Sequence, residues 1–334
     1  MAELKPLEHR QYAHCESGVV TALLSCHGLD LSEPMVFGIT GGLTFAFIPF
    51  IKMTNMPLIS YRMRPGAIIR GAVKNLDIRF KTMRYREKGR ALAELTNLVD
   101  GGEIVGLQTS VYWLPYFPPE MRFPFNAHNL IIYGREGDEF LVSDPVFENT
   151  ARIKAEDLQN ARFARGILAP KGFMYYPVRI NPSVDLREAI RKSIKRTARM
   201  MLNTPLPFIG VEGIYYLGRK IERLKASEDL RYVRLFLGHI VRMQEEIGTG
   251  GGGFRFMYAA FLQEAGQLLG SMPLGEASQM MTDAGDMWRQ FASACAKGCK
   301  SKTADFDVGE IAQLVRKCAT QEKLVYSHLK SIKL

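Results

Sequence analysis

The stretch YAHCESGVVTALLSCHG, residues 12–28, predicts an amphipathic helix that begins at Cys15 and is capped by Gly28. Its apolar face is formed by Val19, Val20, Leu23 and Leu24. A thiol at a helix N-terminus faces unpaired backbone N–H groups and the positive end of the helix dipole, and both favour the thiolate. Cys15 is therefore a candidate nucleophile. A lone cysteine beside an apolar helix is more often a small buried hydrophobe, which is the interpretation given to the other four cysteines.

Two further candidates lie on apolar runs downstream. His128 opens the run HNLIIYG, and Asp144 closes the run FLVSDP. An imidazole on a neighbouring strand can take the proton of Cys15, and a carboxylate can fix which ring nitrogen faces the sulfur. Taken singly, His128 could cap a strand and Asp144 with Pro145 could form only a turn. In this chain order the three predict a nucleophile, a base and an orienting carboxylate.

The composition limits the class of protein. The chain has 334 residues, of which 47% are hydrophobic and 23% charged, as is typical of a soluble globular protein. The most apolar run, GITGGLTFAFIPFIKM at residues 38–53, is too short for a membrane span and is interrupted by glycine and proline. The segment MAELKPLEHR lacks the apolar core of a signal peptide, and five irregularly spaced cysteines do not predict a disulfide framework. We therefore expect a cytoplasmic protein with reduced thiols and no membrane span.

The net charge of +10 is unevenly distributed. Residues 52–90 contain eleven Lys/Arg residues against two acids, and a second basic segment covers residues 187–199. Such surfaces bind nucleic acid, anionic membranes or acidic proteins, or they are merely solvated. Because neither zinc-finger spacing nor an RNA-binding aromatic signature accompanies them, nucleic acid is not the expected partner.

A metal site is not expected. His14, Cys15, Cys26 and His27 form two adjacent pairs that lack the usual ligand separation, and a helix would turn the pairs to different faces. The Gly-rich run at residues 38–42 matches neither the P-loop nor the dinucleotide fingerprint, so close backbone packing is its expected role.

The pattern of the sequence changes near residue 180. Before it, short β-rich runs predict strands: EIVGLQTSVYW, HNLIIYG, EFLVSDP and MYYPVRI. After it, helical spacing predicts six helices, at residues 186–201, 211–226, 229–247, 254–269, 275–297 and 308–332. The expected fold class is therefore α+β, with a catalytic domain at residues 1–180 followed by an all-helical domain at residues 181–334.

The segment GTGGGGFRFMYAAFLQEA, residues 248–265, is a second candidate site. Five glycines at residues 248–253 are costly in backbone entropy unless the chain bends sharply or approaches a ligand. Polar groups occur in this otherwise apolar helix at Arg255, Tyr258 and Glu264, which are candidate substrate-binding residues. If Arg255 binds substrate, Arg255→Ala is expected to raise KM with little loss of thermal stability. The alternative is a flexible linker between helices.

These motifs together resemble a known family. HCESGVV…LSEPMVFGITGGLTF and YWLPY…HNLIIYG…FLVSDP resemble the N-terminal domain of the butirosin biosynthesis acyltransferase family, and the helical half resembles the region that commonly follows it. The HNLIIYG…VSDP pair also resembles the bacteriocin-leader cysteine peptidases, which share the papain-like fold. The resemblance implies a papain-like cysteine-enzyme domain with Cys15 as nucleophile, His128 as base and Asp144 as orienter.

The family also implies a reaction. It is the transfer of an acyl group from a carrier-protein thioester to a small amine in natural-product (secondary metabolite) biosynthesis, with no bound cofactor, since phosphopantetheine arrives on the acyl carrier protein. Papain-like enzymes often use a Gln about six residues before the Cys for the oxyanion hole, and Gln11 is the candidate here. A hydrolase with the same triad (a thioesterase, amidase or peptidase) and a non-catalytic binding module are the alternatives.

An acyl carrier protein is typically acidic, so the basic residues 52–90 are the expected docking region. The residues expected to dock it are Arg62, Arg64, Arg70 and Lys74. The alternative is a solvated basic surface.

Overall fold

The computed structural model describes residues 6–53, 55–224, 229–303 and 306–333. Its helices and strands, in chain order, are α1 (Cys15–Cys26), α2 (Glu33–Ile39), β1 (Leu43–Met53), β2 (Met56–Arg62), α3 (Ala67–Asn75), β3 (Ile78–Met83), α4 (Lys88–Asp100), β4 (Val105–Thr109), β5 (His128–Glu136), β6 (Glu139–Ser143), β7 (Ala151–Lys154), α5 (Ala155–Arg162), β8 (Met174–Ile180), α6 (Leu186–Asn203), α7 (Gly210–Glu222), α8 (Leu230–Val241), α9 (Arg255–Leu269), α10 (Met272–Lys300) and α11 (Val308–Ser331). The chain forms two compact units, Met1–Val36 with Ile68–Asp185 and Phe37–Ala67 with Leu186–Leu334.

The first unit is built on a six-stranded antiparallel sheet in the order β3-β8-β4-β5-β6-β7. Its central strand β5 is buried at five successive residues from His128, as expected of a strand covered on both faces. Helices α1 and α4 both pack against β5. The core contains Leu95, Val105, Leu107, Leu130, Ile132, Phe140, Val142, Leu158 and Met174. Each such side chain contributes about 1.5–3 kcal/mol on burial, so this core stabilises the sheet against which α1 packs.

The second unit combines the antiparallel hairpin β1–β2 with helices α6 to α11. The ring of Phe45 stacks on Trp288 at 5.7 Å and meets Tyr61 edge-on at 5.3 Å, so aromatic side chains attach the hairpin to α10. Gly38 approaches Phe261 so closely that a Cβ atom would lie 2.0 Å from the ring, consistent with the predicted packing role of this Gly-rich run.

The α+β fold class, with a sheet unit followed by helices, is confirmed. The four predicted strand runs correspond to β4, β5, β6 and β8, while β1, β2, β3 and β7 were not predicted. The assignment of residues 1–180 to one domain differs from the structure, because residues 37–67 pack with the C-terminal helices. The apolar run at residues 38–53 is mostly strand β1. No helix among the described residues is long and apolar enough to cross a bilayer.

All six predicted C-terminal helices are present, with shifted ends. The third is shorter than predicted, since α8 ends at Val241 and a π-helical turn follows at Arg242–Glu246. The predicted end of the second helix, at residue 226, lies outside the described residues, and α7 ends at Glu222.

Candidate active site

Cys15 is the first residue of α1, as the sequence predicted, and is 8% exposed. His14 precedes it in an extended conformation and caps the helix, because its Nδ1 accepts the backbone N–H of Ser17 at 3.2 Å. A backbone N–H can only donate, so the Nδ1 of a neutral His14 ring carries the lone pair and its Nε2 carries the proton. The thiol therefore lies at a capped helix N-terminus, where the dipole favours an anion.

His128 and Asp144 form a buried pair. His128 is the first residue of β5 and Asp144 follows the last residue of β6, and the pairing of Ile131 with Ser143 brings these two strand ends together. The Nε2 atom of His128 lies 2.7 Å from Oδ2 of Asp144. His128 is also hydrogen-bonded to Cys15. Because Nε2 of His128 contacts Asp144, we infer that its other ring nitrogen, Nδ1, makes the bond to Cys15.

The charge state of His128 follows from these contacts. Burial lowers its pKa, but the charge and hydrogen bond of Asp144, with a further contribution from Cys15, raise the pKa of His128 above its ordinary value. The imidazolium is therefore stabilised in the folded state. An imidazolium beside a thiol favours a thiolate–imidazolium pair, which is the reactive form of a cysteine nucleophile.

Asp144 is held by two donors that the sequence did not identify. The hydroxyl of Tyr116 donates to its Oδ2 at 2.8 Å, and the backbone N–H of Val146 donates to its Oδ1 at 3.0 Å. Burial, together with the charge of Asp144, raises the pKa of Tyr116, so its hydroxyl stays protonated and donates. The rings of Phe117 and His128 are nearly perpendicular, with their centroids 5.4 Å apart. Tyr116 is the last residue of the YWLPY motif, and this motif was the feature of the sequence that could have indicated its role.

Two buried carboxylates lie near the nucleophile. Glu16 accepts the backbone N–H groups of Ile68 (2.9 Å) and Ile69 (3.3 Å) and so caps α3. Glu33, in the first turn of α2, accepts from the residues that precede Cys15. The sequence indicated neither role, because both contacts join segments that are distant in the chain.

Gln11, the candidate oxyanion donor, is exposed and its amide donates to the carbonyl oxygen of Val146 at 2.8 Å. This bond ties the N-terminal segment to the loop that holds Asp144. The oxyanion role of Gln11 stays a prediction.

The candidate substrate residues of the helical unit have structural partners. Arg255 is fully buried and ion-paired with Glu322 at 2.8 Å, so the expectation that its loss would leave stability intact is corrected. Tyr258 is buried on the same helix, where burial raises its pKa, and Glu264 is half-buried. The glycine segment is a packed reversal: Gly253 has φ +58°, and a Cβ atom there would lie 2.3 Å from the ring of Tyr61. Substrate binding by these residues stays a prediction.

The four docking candidates are placed as follows. Arg70 and Lys74 are exposed on α3 at i, i+4 and so share one face of that helix in the sheet unit. Arg64 is exposed in the helical unit, while Arg62 is half-buried and its Nη1 donates to the carbonyl oxygen of Met63 at 2.9 Å. Their role in binding a carrier protein stays a prediction.

The remaining cysteines differ from Cys15 in setting. Burial raises the pKa of Cys26 to about 11, and burial also raises the pKa of Cys295 and Cys318, so these thiols stay protonated. All five cysteines are thiols, with no disulfide among them. Within the described ranges, no group of three or more His, Cys, Asp or Glu side chains is arranged to hold a metal ion.

The helix-borne thiol and the His–Asp pair on an antiparallel sheet form the arrangement that a cysteine nucleophile requires. Residues 156–329 match the family model described as a domain of unknown function (DUF4872), and since this is more than half of the 334 residues, the chain belongs to that family. Residues 14–145 match the model described as butirosin biosynthesis protein H, N-terminal, which confirms the resemblance inferred from the sequence.

The solved structures that are similar to part of the chain include the following one. It is a crystal structure described as a putative C39-like peptidase from Bacillus anthracis, with 14% sequence identity and a TM-score of 0.37. The similarity covers 53% of this chain and 96% of that one. No curated protein matches the chain.

Proposed function

We propose that the protein is a cysteine-dependent acyltransferase, which moves an acyl group from an acyl-carrier-protein thioester to an amine through an acyl-Cys15 intermediate. The observation that carries this proposal is the position of His128, which is hydrogen-bonded to Cys15 and lies 2.7 Å from Asp144. The N-terminal match to a butirosin biosynthesis protein supports a role in natural-product biosynthesis.

In the first step, His128 takes the proton of Cys15 and the sulfur attacks the carbonyl carbon of the thioester. The backbone N–H of Cys15, at the start of α1, stabilises the tetrahedral oxyanion. Collapse breaks the bond to the phosphopantetheine sulfur, which leaves with the proton held by His128. Because one thioester replaces another, this exchange is nearly isoenergetic.

In the second step, the amine attacks the acyl-Cys15 carbonyl. His128 accepts a proton from the amine and returns one to the leaving sulfur of Cys15. Asp144 keeps the ring oriented and stabilises the imidazolium in both steps, and the hydroxyl of Tyr116 fixes Asp144. Phosphopantetheine enters and leaves on the carrier, so it acts as part of the substrate.

The carrier protein is the proposed partner. Exposed Arg70 and Lys74 on α3 of the sheet unit offer positive charge to an acidic carrier. In the helical unit, Arg62 at the end of β2 and exposed Arg64 are the further candidates. Such complementarity accelerates encounter more than it strengthens the final complex.

Intact-protein mass spectrometry tests the proposal. After incubation with an acyl-carrier thioester, the protein should gain the mass of the acyl group at Cys15, and a primary amine should discharge it as an amide. The Cys15→Ala variant should gain no mass. Turnover to the free acid with and without amine would instead assign a hydrolase, and the absence of any adduct would assign a binding module.

A further inference from the structure

Glu33 binds the segment that leads into the nucleophile. Glu33 is 9% exposed, and both of its carboxyl oxygens accept hydrogen bonds from residues close to Cys15. Oε2 accepts the backbone N–H of Ala13 at 2.8 Å, while Oε1 accepts the backbone N–H of His14 at 3.0 Å and the hydroxyl of Ser17 at 2.7 Å. One side chain thus satisfies three donors around the start of α1.

The segment is anchored at a third consecutive residue. The backbone N–H of Tyr12 donates to the carbonyl oxygen of Pro145 at 2.9 Å, and Pro145 directly follows Asp144. Residues 12–14 are therefore held between the loop that carries Asp144 and the carboxyl group of Glu33. Gly18 allows this close approach, since a Cβ atom there would lie 2.6 Å from Cβ of Tyr12.

These bonds determine how the peptide unit between His14 and Cys15 is oriented. His14 has φ −141° and ψ 134°, and its ψ angle sets the direction of the next backbone N–H, which belongs to Cys15. In the proposed reaction that N–H donates to the oxyanion. A change of about 1 Å in its position can cost about 10²-fold in rate.

We infer that Glu33 is a positioning residue, which orients the backbone N–H of Cys15 toward the oxyanion of the acylation step. This inference rests on the proposed role of Cys15 as nucleophile. Burial raises the pKa of Glu33, although its three hydrogen bonds act in the opposite direction. A carboxyl group is costly to bury, and these three bonds offset part of that cost.

Two reagents separate this role from a general effect on the thiol. With p-nitrophenyl acetate, the Cys15 sulfur attacks the carbonyl carbon and a tetrahedral oxyanion forms. Its collapse releases p-nitrophenolate and leaves the acetyl group on the sulfur. In iodoacetamide, the same sulfur displaces iodide from a saturated carbon, so no oxyanion forms. The ratio of the two rates at Cys15, read by peptide mass spectrometry, therefore reports the oxyanion donor independently of thiol access.

Glu33→Gln places an NH₂ group against backbone N–H donors and so breaks at least one of these bonds while it keeps the shape. We expect acylation to slow by about 10- to 100-fold, as for partial loss of an oxyanion donor. Alkylation should stay within about threefold of wild type, since it needs only the thiolate. Equal changes in both rates, or no change in either, would overturn the inference.

Glu16→Gln is the matched control, because it makes the same substitution at a buried carboxylate whose bonds run to α3. It should lower the melting temperature and leave the rate ratio near the wild-type value. If Glu33→Gln does not fold, Glu33→Asp keeps the charge and shortens the reach, and its rate ratio should also fall. An unchanged ratio in Glu33→Asp would then count against the inference.

Failure of the proposed function gives a different result. If Cys15 reacts with the active ester but never with a carrier thioester, the acyltransferase proposal fails and the rate ratio still tests Glu33.

Discussion

Arg255 and Glu322 form a two-pronged ion pair within the helical unit. Nε of Arg255 lies 2.8 Å from Oε1 of Glu322 and Nη2 lies 3.1 Å from Oε2, and both side chains are 0% exposed. The indole N–H of Trp288 donates to the same Oε1 at 2.5 Å, and Nη1 of Arg255 donates to the carbonyl oxygen of Gly253 at 2.6 Å. The pair therefore joins α9, α10 and α11 with the glycine segment.

Arg255→Ala should destabilise the protein by about 3–5 kcal/mol, because it leaves the carboxylate of Glu322 buried without its partner. Denaturant unfolding of the purified variant measures this loss. Arg255→Met combined with Glu322→Leu should cost less than Arg255→Ala alone, since neither charge then remains. A variant that unfolds like wild type but has a raised KM would support the substrate-binding interpretation of Arg255.

Cys15→Ala should keep the fold, because a small residue replaces a small one, and should abolish the acyl adduct. Loss of an acting nucleophile costs on the order of 10⁴–10⁶ in turnover. Cys26→Ala, at a buried thiol of the same helix, is the control and should retain activity. Turnover of Cys15→Ala above about a tenth of wild type would show that another residue attacks the donor.

His128 and Asp144 should differ in effect. His128→Ala should abolish acylation and slow iodoacetamide labelling of Cys15 below pH 7, since the imidazolium that favours the thiolate is gone. Asp144→Asn keeps the shape but disturbs the ring tautomer, at a cost of about 10²–10⁴-fold in turnover. Identical labelling rates in wild type and His128→Ala would show that the ring does not act on the sulfur.

The His128–Asp144 pair should also make stability depend on pH. The pKa of His128 is raised in the folded protein, so its contribution is fully present below the unfolded value of about 6.5. It is lost as the pH rises through the folded value. The gap in melting temperature between wild type and Asp144→Asn should therefore shrink as the pH rises above neutrality. A gap that stays constant or widens would contradict a stabilised imidazolium.

The carrier-protein proposal predicts a salt effect that is specific to the donor. Acylation by a carrier-bound donor should slow between low salt and roughly 0.3 M, whereas an N-acetylcysteamine thioester should be nearly indifferent. Arg70→Glu with Lys74→Glu should reproduce the effect for the carrier-bound donor alone. Lys195→Glu with Arg196→Glu, exposed on α6, makes the same charge change as a control. A similar response of both donors would identify a merely solvated surface.

Local signals explain what the sequence predicted well. The start of α1 at Cys15, strand β5 from His128 and the end of β6 before Asp144 each follow from short-range patterns of polarity and apolar spacing. The six C-terminal helices have the same origin. Such patterns act within a few residues, so they do not depend on the rest of the fold.

Long-range contacts explain what the sequence did not predict. Tyr116 meets Asp144 across 28 residues, and Glu33 meets Ala13 across 20, so neither role has a local signature. The buried partner of Arg255 was missed for the same reason. An arginine in an apolar helix gives the same pattern whether it binds a ligand or a buried carboxylate 67 residues away.

The hairpin β1–β2 has a consequence for how the protein is made. Its apolar residues Phe45 and Phe47 are synthesised early, but the helices that cover them begin at residue 186. At a ribosomal rate of about 5–20 residues per second, the helices that cover the hairpin are synthesised on the order of ten seconds after it. During this interval the nascent chain exposes an aromatic strand pair, which makes chaperone binding to residues 43–62 during translation an expected step in its biogenesis.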